Sequence, residues 1–139
     1  MSHPDGLPDL FLDRSLGRIK VPQALRDAGL RLVTLAEHYG VPADEEVADE
    51  EWLTLAGSEG WVVFMKDTRI RYNPAERAAV LRHSVRCFCL TSQSLPADEM
   101  VRRFVDQIET IAAACRDDPG PFIYAVHAQR IERLRLDPE

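Results

Sequence analysis

The chain has 139 residues, 45% of them hydrophobic and 29% charged, which is the balance of one ordinary globular domain with room for a single core. No apolar run approaches the roughly 18 residues of a bilayer span, and Met1–Asp9 lacks the basic and apolar regions of a signal peptide, so a cytoplasmic protein without membrane contact is expected. A net charge of −6 disfavours a dedicated sequence-reading nucleic-acid binder, and three cysteines read as buried, reduced thiols rather than a disulfide framework.

Residues 1–9 hold Pro4, Gly6 and Pro8 and are expected to form a flexible leader, with one domain over 10–139. Leu10-Phe11-Leu12 is a short apolar strand that stops on Asp13. Val21–Ala28 reads as a helix, with Pro22 in its first turn and Gly29 closing it. Leu30–Leu35 reads as a second strand. After an acidic connection, Asp49 stands where a helix N-cap would, ahead of Trp52, Leu53 and Ala56 on one face, and Gly57 and Gly60 end that helix. Trp61–Met65 is a continuous apolar run, too short for a helix and ended by Lys66-Asp67, as in a fully buried strand. Pro74–His83 reads as a helix and Val85–Leu90 as a strand. Pro96 opens one long helix with the stripe Met100, Phe104, Ile108, Ile111 and Cys115. Phe122–Val126 is the last expected strand, followed by a charged tail. Alternating elements with short connections predict an α/β fold: a mostly parallel central sheet flanked by helices in three layers.

In such sheets ligands bind beyond the carboxyl ends of the strands, where strand order reverses. That rule selects Asp13 and Asp67, each closing a strand, and Asp49 opening a helix at the same edge. A carboxylate ending a buried run is costly unless compensated. Helix capping compensates Asp49 well and Asp13 less well. Clustered carboxylates raise one another's pKa, and a hard divalent cation, Mg²⁺ or Mn²⁺, relieves this in an all-oxygen site. The charge is uneven: Glu37–Gly60 carries eight acidic residues and no Lys or Arg, whereas Trp61–Leu90 carries six basic residues. Lys66, Arg69 and Arg71, with Arg14 and Arg18 beyond Asp13, are the candidate phosphate contacts, a role suited to guanidinium geometry; the alternative is a set of solvated loop residues. His38 follows the second strand and is placed to reach the site edge, though a surface or hydrogen-bonded role is the better reading; His83, His127 and the Cys87/Cys89 pair lack partners at metal-ligand spacing. No nucleophile elbow, phosphate loop or dinucleotide fingerprint is present. Trp52 and Trp61 read as core rather than as stacking platforms.

The segments Phe11-Leu12-Asp13-Arg14-Ser15-Leu16-Gly17, Val47-Ala48-Asp49-Glu50-Glu51-Trp52-Leu53-Thr54-Leu55-Ala56 and Gly60-Trp61-Val62-Val63-Phe64-Met65-Lys66-Asp67 resemble the three signature segments of compact PIN-like domains, which include the VapC-type toxins of toxin–antitoxin pairs. The resemblance spans Leu10 to Val126. It implies a metal-dependent endoribonuclease with Asp13, Asp49 and Asp67 as catalytic metal ligands, an RNA substrate, a cognate antitoxin protein and a homodimer. Family members often place a further acidic or amide residue shortly after the third position. Here the run is Thr68-Arg69-Ile70-Arg71, and that departure favours the alternative of a catalytically weak or inactive PIN-like module binding RNA or protein. A receiver-like phosphoacceptor switch would need an acidic pair after the first strand, where only Asp13 stands.

Overall fold

The structure is a computed structural model describing residues 2–66, 68–92 and 94–136. Its centre is a six-stranded sheet built from β1 (Leu10–Leu12), β2 (Leu32–Thr34), β3 (Val62–Lys66), β4 (Arg86–Leu90), β5 (Phe122–Val126) and β6 (Ile131–Leu134), in the order β2-β1-β3-β4-β5-β6. The first five strands pair in parallel. This is the α/β architecture that the alternation of elements predicts. β6 is antiparallel to β5, from Val126↔Ile131 to Ile123↔Leu134, and occupies part of the expected tail. Half of its residues are charged and none is buried, so no apolar run announces it.

The helices are α1 (Lys20–Asp27), α2 (Leu35–Tyr39), α3 (Asp49–Glu59), α4 (Pro74–His83), α5 (Ala97–Asp106) and α6 (Ile108–Asp117). Among the described residues 3-10 turns span Arg14–Leu16, before α1, Ala43–Glu46, before α3, and Thr68–Tyr72, before α4. The expected strand over 30–35 is observed as Leu32–Thr34, shorter at both ends; at the carboxyl end Thr34 and Glu37 form a capping box that starts α2 at once. Gly57 lies inside α3, and Gly60 alone terminates it in the left-handed region. The expected long helix is two: it breaks at Gln107, whose buried side-chain amide donates to the carbonyls of Arg103 (3.1 Å) and His127 (2.7 Å).

Strand residues alternate between two apolar layers. Leu10, Leu12, Val62, Phe64, Phe88 and Phe122 pack with α1, α5 and α6, and the rings of Phe64 and Phe104 stack at 4.1 Å. Phe11, Val63, Met65, Cys87, Cys89 and Ile123 pack with Trp52, Leu53 and Ala56 of α3 and Ala79 and Val80 of α4. The expected stripe of Met100, Phe104, Ile108, Ile111 and Cys115 is buried despite the break. All three cysteines are free and buried, as expected.

Connection hand depends on the direction of travel along the sheet and on the face used. From β1 to β2 the chain crosses one way over the α1 face; from β2 to β3 and from β3 to β4 it crosses the other way over the α3/α4 face. These three crossovers therefore share one hand. The β4-to-β5 connection travels in the second direction but over the α1 face, so its hand is opposite, against the strong general preference for one hand. The gain is coverage: α1 alone cannot shield Phe64, Phe88 and Phe122, and α5–α6 do so.

Residues 2–9, expected to be a flexible leader, lie against the domain. Leu7 is buried, His3 Nε2 is 2.8 Å from the Leu7 carbonyl, and the Arg31 amide donates to His3 Nδ1 at 3.0 Å.

Candidate metal centre

Strand order turns at β1, which pairs with β2 on one side and β3 on the other. The chain leaves β1 toward β2 and later returns across it to β3, so the carboxyl ends of β1 and β3 open onto a crevice. An open cleft of about 460 Å³ lies there, lined by Asp13, Arg14, Ser15, Asp49, Met65, Lys66, Arg69, Ile70, Asn73 and Glu76.

Asp13 follows directly on the buried run of β1 and is itself buried. It caps the 3-10 turn Arg14–Leu16, a local role that the sequence does not display because the turn is too short to show periodicity. Its Oδ1 accepts both the Ser15 amide (3.1 Å) and the Ser15 hydroxyl. The same hydroxyl accepts the Lys66 amide at 2.9 Å, so Ser15 ties the end of β1 to the end of β3. Burial pushes the Asp13 carboxyl up to about 7. The Ser15 donors oppose that rise, nearby Asp49 adds to it, and Arg14 opposes it least. Among the described residues Asp13 has no ion-pair partner.

Asp49 is the first residue of α3, not its cap: Ala48 holds the N-cap position, and no side chain caps this helix. Its Oδ1 accepts the Trp52 indole N–H at 3.0 Å and Arg14 Nη1 at 3.2 Å. Arg14 is also anchored by the backbone carbonyls of Asp44 (3.0 Å) and Val47. Asp44, expected only as part of an acidic connection, is buried and gripped by Arg18 Nε (3.0 Å) and Nη2 (2.9 Å). Arg14 and Arg18 thus serve the acidic segment before α3. Among the described residues no donor reaches Oδ2 of Asp13 or of Asp49.

Asp67 lies outside the described residues. Without it, no three His, Cys, Asp or Glu side chains among the described residues converge as a metal cluster. The donor chemistry of the pair nonetheless suits a hard cation: two carboxylates in one cleft, one of them buried with only neutral donors.

Lys66 and Arg69 line the cleft as expected. Arg71 does not: its guanidinium lies 4.5 Å from the ring centroid of Tyr72. Asn73 and Glu76, which carry no signal beyond a helix start, also line the cleft. Asn73 caps α4 by accepting the amides of Ala75 (3.0 Å) and Glu76 (3.1 Å), and this cap aims the first turn of α4 at the cleft. An amide and an acid therefore stand beyond Arg69 and Arg71, one helix start later than the run Thr68–Arg71. The two tryptophans are core residues: Trp52 is buried, and Trp61 is partly buried and stacks on Phe11 at 5.6 Å.

A family model described as "PIN like domain" matches residues 8–92, which include Asp13, Asp49 and the end of β3. The chain belongs to the PIN-like domain family. A relative named "Putative ribonuclease VapC45", from Mycobacterium tuberculosis, is 44% identical over 128 residues, covering 92% of each chain. No solved structure matches. Family membership accounts for the α/β fold. No helix among the described residues is long and apolar enough to cross a membrane.

Proposed function

We propose that this chain is a metal-dependent endoribonuclease, the toxin member of a toxin–antitoxin pair. The observation that carries the reading is Asp13: a buried carboxylate at the switch-point cleft, hydrogen-bonded among the described residues only by the neutral donors of Ser15, and sharing the cleft with Asp49. A group placed this way is costly for folding and useful for holding a cation. The family and the name of the Mycobacterium tuberculosis relative support the same reading. Asp13, Asp49 and Asp67 are the proposed ligands of Mg²⁺ or Mn²⁺, with Glu76 and Asn73 also lining the cleft. When bound, such an ion supplies an activated water and charge stabilisation for phosphodiester displacement. Ser15 holds the Asp13 carboxylate, Arg14 and Trp52 hold Asp49, and Lys66 and Arg69 contact RNA phosphates at the rim. An inhibitor protein covering this open cleft would silence the enzyme. The functional form is a cytoplasmic homodimer.

The departure at Arg69 carries less weight in the fold than in the sequence, because Asn73 and Glu76 bring an amide and an acid to the same cleft. Cleavage of single-stranded RNA with Mn²⁺ tests the reading. It requires activity in the wild type that Asp13→Asn abolishes. Cleavage that persists in Asp13→Asn, or in excess EDTA, overturns it.

A further inference from the structure

Trp52 is fully buried, and a buried indole needs an acceptor for its N–H. That acceptor is Asp49 Oδ1, one helical turn earlier at 3.0 Å. A carboxylate in the first turn of a helix ordinarily turns to solvent or to the exposed amides of the helix end. Asp49 makes no capping bond. The ring that holds it is itself held: Phe11 stacks on Trp52 at 5.7 Å and on Trp61 at 5.6 Å. Phe11 stands two residues before Asp13 on β1, so the strand that delivers the first carboxylate also fixes the group that orients the second. The second donor to Oδ1, Arg14, is a half-exposed charged side chain that solvent screens; the indole is a neutral donor on a fully buried ring.

We propose that Trp52 is a positioning residue for the acidic cleft, its indole N–H fixing Asp49 through Oδ1 and leaving Oδ2 to face a divalent cation. The inference rests on the metal-dependent reading given above. Outer-shell hydrogen bonds to metal ligands typically change affinity about 10–100-fold when lost. Trp52→Phe removes the donor without changing charge, which separates positioning from the electrostatic effect that any change at Arg14 carries.

The experiment is Mn²⁺ titration calorimetry near pH 7.5 on five proteins. These are the wild type, Asp13→Ala, Trp52→Phe, a protein with β-(3-benzothienyl)alanine at position 52, and Leu53→Ala. The benzothienyl side chain keeps the shape of indole and lacks the N–H, so it reports even if Trp52→Phe fails to fold. Leu53 is an equally buried neighbour that matches the loss of core packing. Both changes at position 52 are expected to weaken Mn²⁺ about tenfold or more, with Leu53→Ala unchanged. In a Trp61→Phe background, where Trp52 is the remaining tryptophan of two, Mn²⁺ is expected to quench its emission. Wild-type affinity in the benzothienyl protein, or an equal loss in Leu53→Ala, overturns the positioning role and leaves the metal reading intact. Failure of the wild type to bind Mn²⁺, or binding that survives Asp13→Ala, overturns both.

Discussion

Asp13 concentrates the conflict between stability and function in one side chain. Its ordinary value of 3.8 is raised to about 7 in the fold, chiefly by burial. Between those values the folded state holds a proton that the unfolded chain releases, so stability falls as pH rises from about 4 to about 7, and levels off above. Metal-free protein is therefore expected to melt at lower temperature at pH 8 than at pH 5.5. Asp13→Asn removes the buried charge and is expected to stabilise the metal-free protein at pH 8 by about 2–4 kcal/mol, with little effect at pH 4.5. Thermal melts in EDTA across this range check the sign. A binding consequence follows, because a carboxylate must lose its proton to take a cation. Mn²⁺ affinity is expected to fall toward tenfold per pH unit below about 7 and to flatten above it. Calorimetry that shows no pH dependence between 5.5 and 7 would remove Asp13 from the ligand set. At this scale the sequence shows the carboxylates and hides their company. Asp13 and Asp49 are legible because each stands at the boundary of an element. Ser15, Asn73 and Glu76 are not, since a hydroxyl after a strand and an ordinary helix cap acquire their place in the cleft only when β1, β3 and α4 are brought together.

The elements follow a similar rule. β1, β3, β4 and β5 are legible because continuous apolar runs bounded by turns or charges have no other cheap state. The break between α5 and α6 is not: Gln107 is a good helix former, and its role depends on a carbonyl of His127, which lies twenty residues further on. Gln107→Ala leaves two carbonyls without their side-chain donor and is expected to cost about 1–2 kcal/mol. Urea unfolding should show a lower midpoint with an unchanged slope. Gly57 is a case in which propensity and packing disagree. Alanine in a helix is favoured over glycine by about 1 kcal/mol. A Cβ at Gly57 would sit 2.6 Å from the His83 carbonyl oxygen and 2.6 Å from its Cβ, at the contact of α3 with α4. Backbone cannot yield as a flexible side chain does. Gly57→Ala is therefore expected to destabilise by about 1–3 kcal/mol, the usual cost of overpacking. A rise in midpoint would show that α3 and α4 separate freely.

Across the whole molecule, charge is sorted by fold rather than by sequence neighbourhood. The acidic segment from Glu37 to Glu59 packs through α3 on α4 of the basic segment that follows it, yet no ion pair among the described residues joins the two. Its ion pairs run to earlier residues: Arg14 with Asp49, Arg18 with Asp44 and Glu45, and Arg26 with Glu37. Those arginines stabilise the approach to α3; Arg14 lines the cleft as well but is engaged with Asp49, which leaves Lys66 and Arg69 as the cleft-lining cations proposed for contacts with a polyanion. A chain of net charge −6 with two proposed phosphate contacts at the rim gives RNA a narrow electrostatic footing. Each phosphate neutralised on a single strand contributes a slope of about −0.7 to the dependence of log affinity on log salt. Two contacts predict a slope near −1.4, a loss of about sevenfold between 50 and 200 mM salt. The measurement is fluorescence anisotropy with a short single-stranded RNA, in Ca²⁺ to keep the strand uncut. Lys66→Ala and Arg69→Ala are each expected to flatten the slope by about 0.7, and the double variant to make it nearly flat. A slope several times steeper in the wild type would mean that RNA engages a far wider surface than this cleft. A slope unmoved by both changes would place the phosphate contacts elsewhere on the molecule.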